Sequence, residues 1–236
     1  MQRYFITSID NKKVSFSKED SHHIKDVMRM NIGQKIELVS KSQLYLGEIT
    51  CLLPVEARII SEELVSSVEK PSITLAQSLV QMQKMEFILQ KSTELGVDKI
   101  IPLLANRAVV KIEAKEDKKI ARWQTILKEA SEQSKRLTIP EISKCMTIQE
   151  LSKLDYDLKI LCTVNEVSKR LNSVLQNINN HAKILIVIGP EGGFTPLEEE
   201  ILIKEGFIST SLGELVLRTE TVALYVMSVI EYLFLR

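Results

Sequence analysis

The chain has 236 residues, of which 44% are hydrophobic and 26% charged, and its 31 Lys and Arg balance 31 Asp and Glu. These numbers predict a soluble protein of one or two domains and exclude a histone-like or polyanion-coating role. Three cysteines without a Cys-x-x-Cys pair, together with three histidines, exclude a disulfide framework and a zinc site. Since no apolar run reaches the length of a signal peptide or a membrane span, we expect a reduced, cytoplasmic protein.

The first 60 residues consist of short strand-like segments rich in Ile, Val, Leu and Tyr, separated by turn signals. Five strands are predicted, which together favour a small β-barrel, at 3–8, 13–16, 34–40, 44–52 and 55–60. One helix interrupts them, with Ser17 as its N-cap and with His22 and Arg29 on its polar face. The polar stretch 62–71 is the predicted linker, and it divides the chain into domains 1–70 and 71–236.

Beyond residue 72, apolar runs alternate with segments of helical periodicity, which is typical of a parallel sheet covered by helices. The predicted strands are 73–80, 99–104, 159–164, 184–188 and 207–212. The predicted helices are 85–95, 117–135, 167–177, 196–205 and 220–235. This half of the chain is therefore assigned to the α/β class.

The helix around Trp123 carries a polar stripe apart from its apolar face, formed by Arg122, Glu129, Gln133 and Arg136. Residues 107–136 hold nine basic and five acidic side chains, so a phosphate-contacting surface competes with a solvated helix face. On the preceding helix, Lys84 and Lys91 form a second basic stripe, and Glu94 follows within a turn.

Three of the eight glycines fall within five residues, directly after the apolar run 184–188. Gly189, Gly192 and Gly193 precede Thr195, a predicted N-cap, and Pro196, the predicted first residue of a helix. Glycines at a strand end let a ligand approach the main chain, although a tight turn without a ligand explains them equally well. The loop has neither the G-x-G-x-x-G pattern nor the Gly-Lys pair of the two commonest phosphate-binding loops.

A second strand, loop and helix start lie at residues 212–221. Thr219 is a predicted cap, and Glu220 in the first turn suits the helix dipole as well as it suits catalysis. Arg218 opposes that dipole, which favours a functional role in binding an anion or a carboxylate. The helix that follows is apolar nearly all round, so a partner subunit is expected to cover part of it.

These residues resemble the ribosomal RNA small subunit methyltransferase E family of the SPOUT superfamily, and the resemblance covers essentially the whole chain. The segments that carry it are residue 3 and 23–24, 27–29, 84–86, 90–97, 122–123, 129–136, 139–140, 188–194, 212–213 and 217–221. The resemblance implies an α/β protein with an N-terminal PUA-like β-barrel and a C-terminal SPOUT domain that contains a deep trefoil knot. It also implies a homodimer formed through the knot and the last helix, without a metal or a membrane.

The activity implied by the resemblance is methylation of ring N3 of a uridine in 16S rRNA near the decoding centre. The methyl donor is S-adenosylmethionine (SAM), and the partner is 16S rRNA or the assembled small ribosomal subunit. The implied cofactor-binding residues are Leu161, Thr163, Ile188, Gly189, Pro190, Glu191, Gly192, Gly193, Leu212, Gly213, Leu217, Arg218, Thr221 and Ala223.

Methylation of uracil N3 requires loss of the N3 proton, so the site must position the base and favour its anion, through a general base or a nearby cation. Arg218 is the candidate cation, and Glu191, Glu94 and Glu220 are unranked candidates for the proton acceptor. The candidate RNA-binding residues are Arg3, His22, Arg29, Lys84, Lys91, Arg107, Arg122, Gln133 and Arg136.

Two other functional classes compete with this interpretation. A non-catalytic rRNA-binding assembly factor would use the barrel and the basic stripes, and it would not bind SAM. A nucleotide-using metabolic enzyme with the same strand and helix pattern would have no affinity for rRNA. The absence of the usual phosphate-binding motifs counts against the second alternative.

Overall fold

The computed structural model describes residues 1–65, 69–110, 116–176 and 178–234. The chain divides into two compact units, the first comprising Met1–Ser67 and Ser131–Ile139, the second Val68–Ala130 and Pro140–Arg236. The predicted domain boundary at residue 70 stays a prediction. Part of the predicted linker, residues 66–68, lies outside the described residues, as do positions 177 and 235, where two predicted helices end.

The first unit contains a five-stranded sheet built from short segments that alternate between buried and exposed positions. Its strands are β1 (Arg3–Phe5), β2 (Lys13–Ser15), β3 (Lys35–Ser40), β4 (Gln43–Leu52) and β5 (Val55–Glu63), in the order β1-β3-β4-β5-β2. Strands β3 and β4 form a hairpin through Lys41 and Ser42, both with positive φ, as the two-residue turns that suit the twist of a sheet require. Closure of this sheet into the predicted barrel stays a prediction.

The predicted helix near residue 20 begins where the sequence indicates. Helix α1 (Lys18–His22) starts after Ser17, whose hydroxyl oxygen accepts a hydrogen bond from the Asp20 N–H at 3.0 Å. A π-helical turn (His23–Val27) continues it, and the Tyr4 hydroxyl lies 3.0 Å from His23 Nδ1. The helical segment is therefore tied to strand β1 through an aromatic residue in the core.

Arg3 is buried in the first unit, so the predicted RNA contact at this residue is corrected to a structural role. Its Nε donates to Glu37 at 2.8 Å, and its Nη1 donates to the main-chain carbonyls of Lys135 and Arg136. The whole residue is only 6% exposed. Because a buried guanidinium that lacks partners is costly, these acceptors hold the segment after residue 131 against strands β1 and β3.

The second unit is an α/β layered structure around a parallel sheet, as predicted. Its strands are β6 (Ser72–Ser78), β7 (Lys99–Leu104), β8 (Glu141–Ile142), β9 (Met146–Thr147), β10 (Leu158–Cys162), β11 (Lys183–Ile188) and β12 (Ile208–Thr210). The order is β12-β10-β11-β6-β7-β8, with β9 also on β7, and every pair is parallel.

Helices cover both faces of this sheet, so alternate residues of each strand enter two separate cores. The helices are α2 (Met82–Glu94), α3 (Glu116–Gln133), α4 (Ile148–Ser152), α5 (Leu171–Leu175), α6 (Pro196–Lys204) and α7 (Thr219–Phe234). Side chains of α2, α3, α5 and α7 share one core, while those of α4 and α6 share the other. Among the described residues, no helix combines the length and apolar character that crossing a membrane would require.

Several predicted boundaries in the second unit are wrong for identifiable reasons. The predicted helix 167–177 shortens to α5, and strands β8 and β9 and helix α4 were not predicted, because each is too short for periodicity to show. Helix α3 ends at Gln133 because Lys135 adopts φ of 63°, a left-handed conformation that glycine usually supplies at helix ends. Arg136 therefore lies beyond the helix and not on its predicted polar stripe.

A buried chain of hydrogen bonds joins three elements of the second unit. Gln77 Nε2, at the end of β6, donates to Thr219 Oγ1 at 3.0 Å, and Thr219 Oγ1 donates to the Gly189 carbonyl at 2.8 Å. Thr219 was predicted to cap α7, but its hydroxyl is used in this network, and the Arg218 carbonyl instead accepts from the Val222 N–H at 2.9 Å. The network fixes the start of α7 against the loop that follows β11.

Replacement of Arg3 by Met should lower the free energy of unfolding by about 2 kcal/mol at pH 7, because the carbonyls and Glu37 lose buried partners. Burial raises the pKa of Glu37, but the hydrogen bonds and charges of Lys135 and Arg3 together lower it by more, so the net pKa lies below its ordinary value. The stabilisation that ionised Glu37 contributes is therefore complete above the ordinary Glu pKa and is lost as the pH falls. Urea unfolding at pH 7 and pH 3 should show a smaller loss at pH 3. Lys13→Met, which breaks an exposed ion pair with Glu56, is the control and should lower the free energy of unfolding much less than Arg3→Met does. An equal effect of the two variants would contradict the buried role of Arg3.

Thr219→Val should also lower the free energy of unfolding by about 2 kcal/mol, because it removes the shared hydroxyl and leaves two buried polar groups without it. Thr219→Ser keeps the hydroxyl and should restore most of the loss. The matched control is Thr125→Val, whose exposed hydroxyl bonds only to a carbonyl one helical turn back, and which should change stability by about 0.5 kcal/mol or less. Urea unfolding of Thr219→Val within that same margin would show that the network contributes nothing.

Candidate active site at the carboxyl edge of the parallel sheet

The two loops singled out by the sequence follow strands of the same parallel sheet and emerge at one edge. Strands β10, β11 and β6 are neighbours, and Cys162 pairs with Ile188, which pairs with Gln77. Loop 189–195 follows β11, while loop 211–218 follows β12, which lies on the other side of β10. In open α/β sheets, ligands bind at the carboxyl edge of the strands. The sheet order therefore brings the two predicted cofactor-binding loops to the edge where a ligand is expected.

The glycine-rich loop is a tight turn with its main chain accessible. The Gly193 N–H donates to the Pro190 carbonyl at 2.9 Å, and Gly193 has φ of 65° with open space where a Cβ would lie. Thr195 accepts a hydrogen bond from the Glu198 N–H and begins α6 with Pro196 in the first turn, as predicted. The loop thus presents peptide groups at the sheet edge.

Arg107 braces this loop, although the sequence predicted an RNA contact for it. Its Nη1 donates to the Gly192 carbonyl at 3.0 Å and to the Phe194 carbonyl at 3.1 Å. A Cβ added at Gly192 would lie 3.4 Å from the Arg107 Cβ. Arg107 thus packs against Gly192 at van der Waals distance, and its two hydrogen bonds fix the turn.

The second loop contains a glycine with positive φ and exposed apolar side chains. Gly213 has φ of 130°, and the following Leu215 and Val216 are 80% and 81% exposed. Apolar side chains at Val164 and Val167, after β10, are exposed as well. Exposed apolar groups concentrated at one sheet edge favour coverage by a ligand or by another chain.

Four charged residues from three elements come together beside the glycine-rich loop. Lys84 Nζ, in the first turn of α2, lies 2.8 Å from Glu191 Oε1 and 3.8 Å from Glu220 Oε2. Arg218 is close enough for its charge to oppose that of Lys84. Three of these residues are predicted catalytic groups, whereas Lys84 was predicted only as an RNA contact. We name these four residues the charge cluster.

The two carboxylates of the charge cluster differ in their hydrogen bonding. Burial is the largest single influence on the pKa of Glu191 and raises it, but the hydrogen bond and the charge of Lys84, together with a backbone hydrogen bond, lower that pKa below its ordinary value. The bond between Lys84 and Glu191 raises the pKa of Lys84, so the pair stays ionised at neutral pH. Within the described part of the chain, Glu220 Oε2 is buried and has no hydrogen-bond partner. The same is true of Gln77 Oε1 and Ser78 Oγ at the end of β6. Unpartnered buried oxygens are uncommon, and they mark this edge as a place for a ligand or a proton.

The remaining predicted cofactor-binding residues lie near the two loops but contribute differently. Leu161, Ile188 and Ala223 have buried side chains that pack in the two cores, so their side chains do not face open space. Thr163 Oγ1 donates to Glu199 at 2.7 Å, which fixes the end of β10 to α6. Pro190 is buried, Leu212 and Leu217 are half-buried, and Thr221 is exposed.

Glu94 and Lys91 lie at the other end of α2 from the charge cluster. Ten residues separate Lys84 from Glu94, which corresponds to about 15 Å along a helix. Glu94 accepts two hydrogen bonds from Lys91, at 2.8 and 2.9 Å. The structure therefore separates Glu94 from Glu191 and Glu220.

The predicted RNA-binding residues differ in what they already bind. In the second unit, Arg122 is exposed and forms a bidentate ion pair with Glu86. In the first unit, His22 Nδ1 lies 2.7 Å from Asp26 Oδ2, while Arg29 is exposed and adopts a left-handed φ of 49°. Gln133 is exposed, and Arg136 Nε donates to the Thr138 carbonyl at 3.2 Å.

Sequence reasoning missed Gln77 as part of the site, although a signal existed. Gln77 and Ser78 are polar residues at the end of the otherwise apolar run 73–80, and polar residues at the carboxyl end of a buried strand are typical of a site. No group of three or more His, Cys, Asp or Glu side chains suited to a metal ion occurs among the described residues.

Comparison with protein families agrees with this geometry. A family model described as RNA methyltransferase domain matches residues 68–231, and one described as RNA methyltransferase PUA domain matches residues 16–51. Ribosomal RNA small subunit methyltransferase E of Bacillus subtilis is 36% identical, over 98% of this chain and 96% of that protein. The protein of the same name from Rickettsia conorii is 31% identical, over 94% of this chain and 91% of that protein.

Solved structures with the same fold include two that contain SAM. A putative methyltransferase from Legionella pneumophila in complex with the bound cofactor SAM is 30% identical, has a TM-score of 0.91, and aligns over 99% of this chain and 98% of that one. A ribosomal RNA small subunit methyltransferase E from Neisseria gonorrhoeae, bound to S-adenosyl methionine, is 30% identical with a TM-score of 0.88 and the same coverage. The extent of these similarities, from the first unit to the last helix, establishes that the chain belongs to the ribosomal RNA small subunit methyltransferase E family.

Proposed function

We propose that this chain transfers a methyl group from SAM to ring N3 of a uridine in 16S rRNA near the decoding centre. The broader activity, SAM-dependent methylation of rRNA, follows from membership of the family and from its SAM-bound relatives. The charge cluster beside the glycine-rich loop is the observation that supports a protonated ring nitrogen as the methyl acceptor. Such a nitrogen needs both a proton acceptor and a cation, and the cluster contains both.

The residues at the sheet edge fit SAM. Unpartnered buried oxygens lie at the end of β6 and on Glu220, and open space adjoins Gly193 and Gly213. Main-chain groups of the two loops can hydrogen-bond the adenine and the ribose, while the half-buried Leu212 and Leu217 supply apolar contact for the ring. When bound, SAM supplies a methyl group made electrophilic by a positively charged sulfur.

Arg218 is the residue that we assign to stabilise charge on the uracil. Loss of the N3 proton leaves negative charge spread over N3 and the neighbouring carbonyl oxygens, and a guanidinium can bind such a planar anion through two hydrogen bonds. Within the described residues the Arg218 side chain forms no hydrogen bond or ion pair, and the residue is exposed. Its guanidinium is therefore available to a substrate.

Among the three candidate proton acceptors, we assign Glu220. Glu94 lies at the far end of α2 and is bound by Lys91. Glu191 is bound by Lys84, which lowers its pKa and weakens it as a base. Glu220 retains a carboxylate oxygen without a hydrogen-bond partner among the described residues, and it lies two residues after Arg218 in sequence.

The RNA contacts belong to this proposal as well. We assign RNA contacts to exposed or half-buried polar side chains, most of them basic, in both units, and not to the buried Arg3 or to Arg107. The residues assigned are His22, Arg29, Lys91, Arg122, Gln133 and Arg136. The substrate, free 16S rRNA or the assembled small subunit, is met in the cytoplasm.

We further propose a homodimer and the deep trefoil knot of the SPOUT superfamily. One side of α7 is buried through Val226, Met227 and Ile230, but Tyr225 and Tyr232 on the same helix remain 43% and 68% exposed. A second copy of the chain would cover these aromatic side chains, which are enriched at stable interfaces.

Arg218→Ala should lower the single-turnover rate of methyl transfer by about 100-fold or more, because it removes charge stabilisation needed only during the reaction. RNA affinity and its dependence on salt should remain close to those of the wild type. The control is Arg58→Ala, which removes an exposed arginine of strand β5 in the first unit. If calorimetry detects no SAM binding by the wild type, a non-catalytic assembly factor is favoured. If Arg218→Ala turns over normally, Arg218 is not the cation that stabilises the uracil anion.

Tyr225→Asp should release monomers, since it places a charge in the proposed interface on α7. Sedimentation velocity at micromolar concentration should detect a dimer for the wild type and a monomer for the variant. Ile203→Asp makes the same kind of change at an exposed apolar residue of α6 and should leave the dimer intact. A monomeric wild type would refute the proposed interface.

A further inference from the structure

Lys84 occupies the centre of the charge cluster, although its sequence context indicated only a basic stripe on a helix. Its ammonium hydrogen-bonds Glu191 of the glycine-rich loop at 2.8 Å and lies 3.8 Å from Glu220 of α7. Arg218, directly before α7, is the third charged group that faces it. One lysine thus contacts or approaches every charged group of the proposed reaction.

The surroundings of Lys84 differ from those of an ordinary surface lysine. Its side chain is 29% exposed, and the two carboxylates near it are 36% and 18% exposed. Partly buried charges are screened less by solvent, so the attraction across this cluster is stronger than in a fully exposed pair. The cluster contains two cations and two carboxylates, so its formal charges balance.

We propose that Lys84 is a positioning residue for the proton transfer, which holds Glu191 and leaves Glu220 as the group that accepts the uracil proton. This inference rests on the proposed function and adds a division of labour between the two glutamates. Lys84 itself touches neither the uracil nor the methyl group in this account. Its effect acts through the carboxylates that it pairs with.

The atoms and charges of the step balance. The N3–H bond of the uracil breaks, and its proton goes to the carboxylate of Glu220. The N3 electron pair then forms a bond to the methyl carbon. The carbon–sulfur bond breaks with its electron pair left on sulfur, which becomes a neutral thioether. Solvent takes the proton from Glu220 afterwards, so the cluster returns to its starting charge.

A phosphate contact is the competing role for Lys84, and the structure gives reasons against it. A phosphate would compete with Glu191, whose carboxylate lies at charge-assisted hydrogen-bond distance. It would also lie close to Glu220, which repels an anion. The raised pKa of Lys84 and the lowered pKa of Glu191 agree with a stable ion pair.

The test compares Lys84→Met, which removes the charge, with Lys84→Arg, which keeps it. The control is Lys99→Met, because Lys99 has a similar exposure of 32% and a 2.9 Å ion pair with Glu141, remote from the carboxyl edge of the sheet. Four quantities are measured: the single-turnover methyl transfer rate at saturating RNA and SAM between pH 6 and pH 8, RNA affinity at several salt concentrations, SAM affinity by calorimetry, and the titration of Glu191 by carbon NMR in the protein without SAM.

Lys84→Met should lower the saturated rate by about tenfold or more at pH 7, part of the 10²–10⁴ that positioned proton transfer contributes. The difference in rate from the wild type should shrink as the pH rises, because Glu191 without its lysine is more readily protonated at the lower end of this pH range. The pKa of Glu191 should rise in this variant, since burial then acts without the opposing bond. RNA affinity, its salt dependence and SAM affinity should stay within about twofold of the wild type, as should all properties of Lys99→Met, while Lys84→Arg should recover most of the rate.

Two results would overturn the inference. The first is a wild-type saturated rate in Lys84→Met together with weaker RNA binding and a salt slope flatter by about one unit, which would identify a phosphate contact. The second is an unchanged titration of Glu191. Failure of the wild-type protein to methylate rRNA with SAM would instead refute the proposed function, so the two failures can be told apart.

Discussion

The hydroxyl of Thr219 is the group on which the arrangement of the site depends. It accepts from Gln77 on β6 and donates to the Gly189 carbonyl, so one buried atom joins a strand, the glycine-rich loop and the first turn of α7. Arg218 and Glu220 flank Thr219 in sequence, and their positions follow from this attachment. Parallel strand order brings the two loops to one edge, but the order alone does not fix where the charged side chains lie. The hydrogen bonds of Thr219 fix the start of α7, and with it the positions of Arg218 and Glu220.

Electrostatic balance is the second constraint on the site. Carboxylates that must accept a proton need to be ionised beforehand, and burial alone would keep them neutral. Lys84 offsets that cost for Glu191, beside the glycine-rich loop whose main chain is accessible. In the proposed reaction, Arg218 would attract the uracil as negative charge develops on it. A cofactor that brings its own positive sulfur adds to that attraction when bound.

The sequence predicted the features that depend on local patterns, such as the parallel strands and the cap at Thr195. It did not predict features that depend on distant partners. Arg3 and Arg107 were predicted as RNA contacts from their charge. Arg3 is instead buried with Glu37, and Arg107 donates hydrogen bonds to the glycine-rich loop. The sequence shows that a residue is charged but not whether it is buried. The end of α3 was misplaced because Lys135 takes a conformation usually reserved for glycine. The pairing of Lys84 with the glycine-rich loop joins residues 107 positions apart, which no local pattern can reveal.

Mass-spectrometric mapping of 16S rRNA from cells with and without the gene for this chain tests the central claim most directly. Digestion to nucleosides and oligonucleotides would locate any added methyl group and distinguish N3 of uridine from other positions. The account predicts one N3-methyluridine near the decoding centre in cells that carry the gene, its loss when the gene is deleted, and its return when the wild-type gene is restored. An unchanged modification pattern after deletion, or loss of a methyl group from another atom, would contradict it.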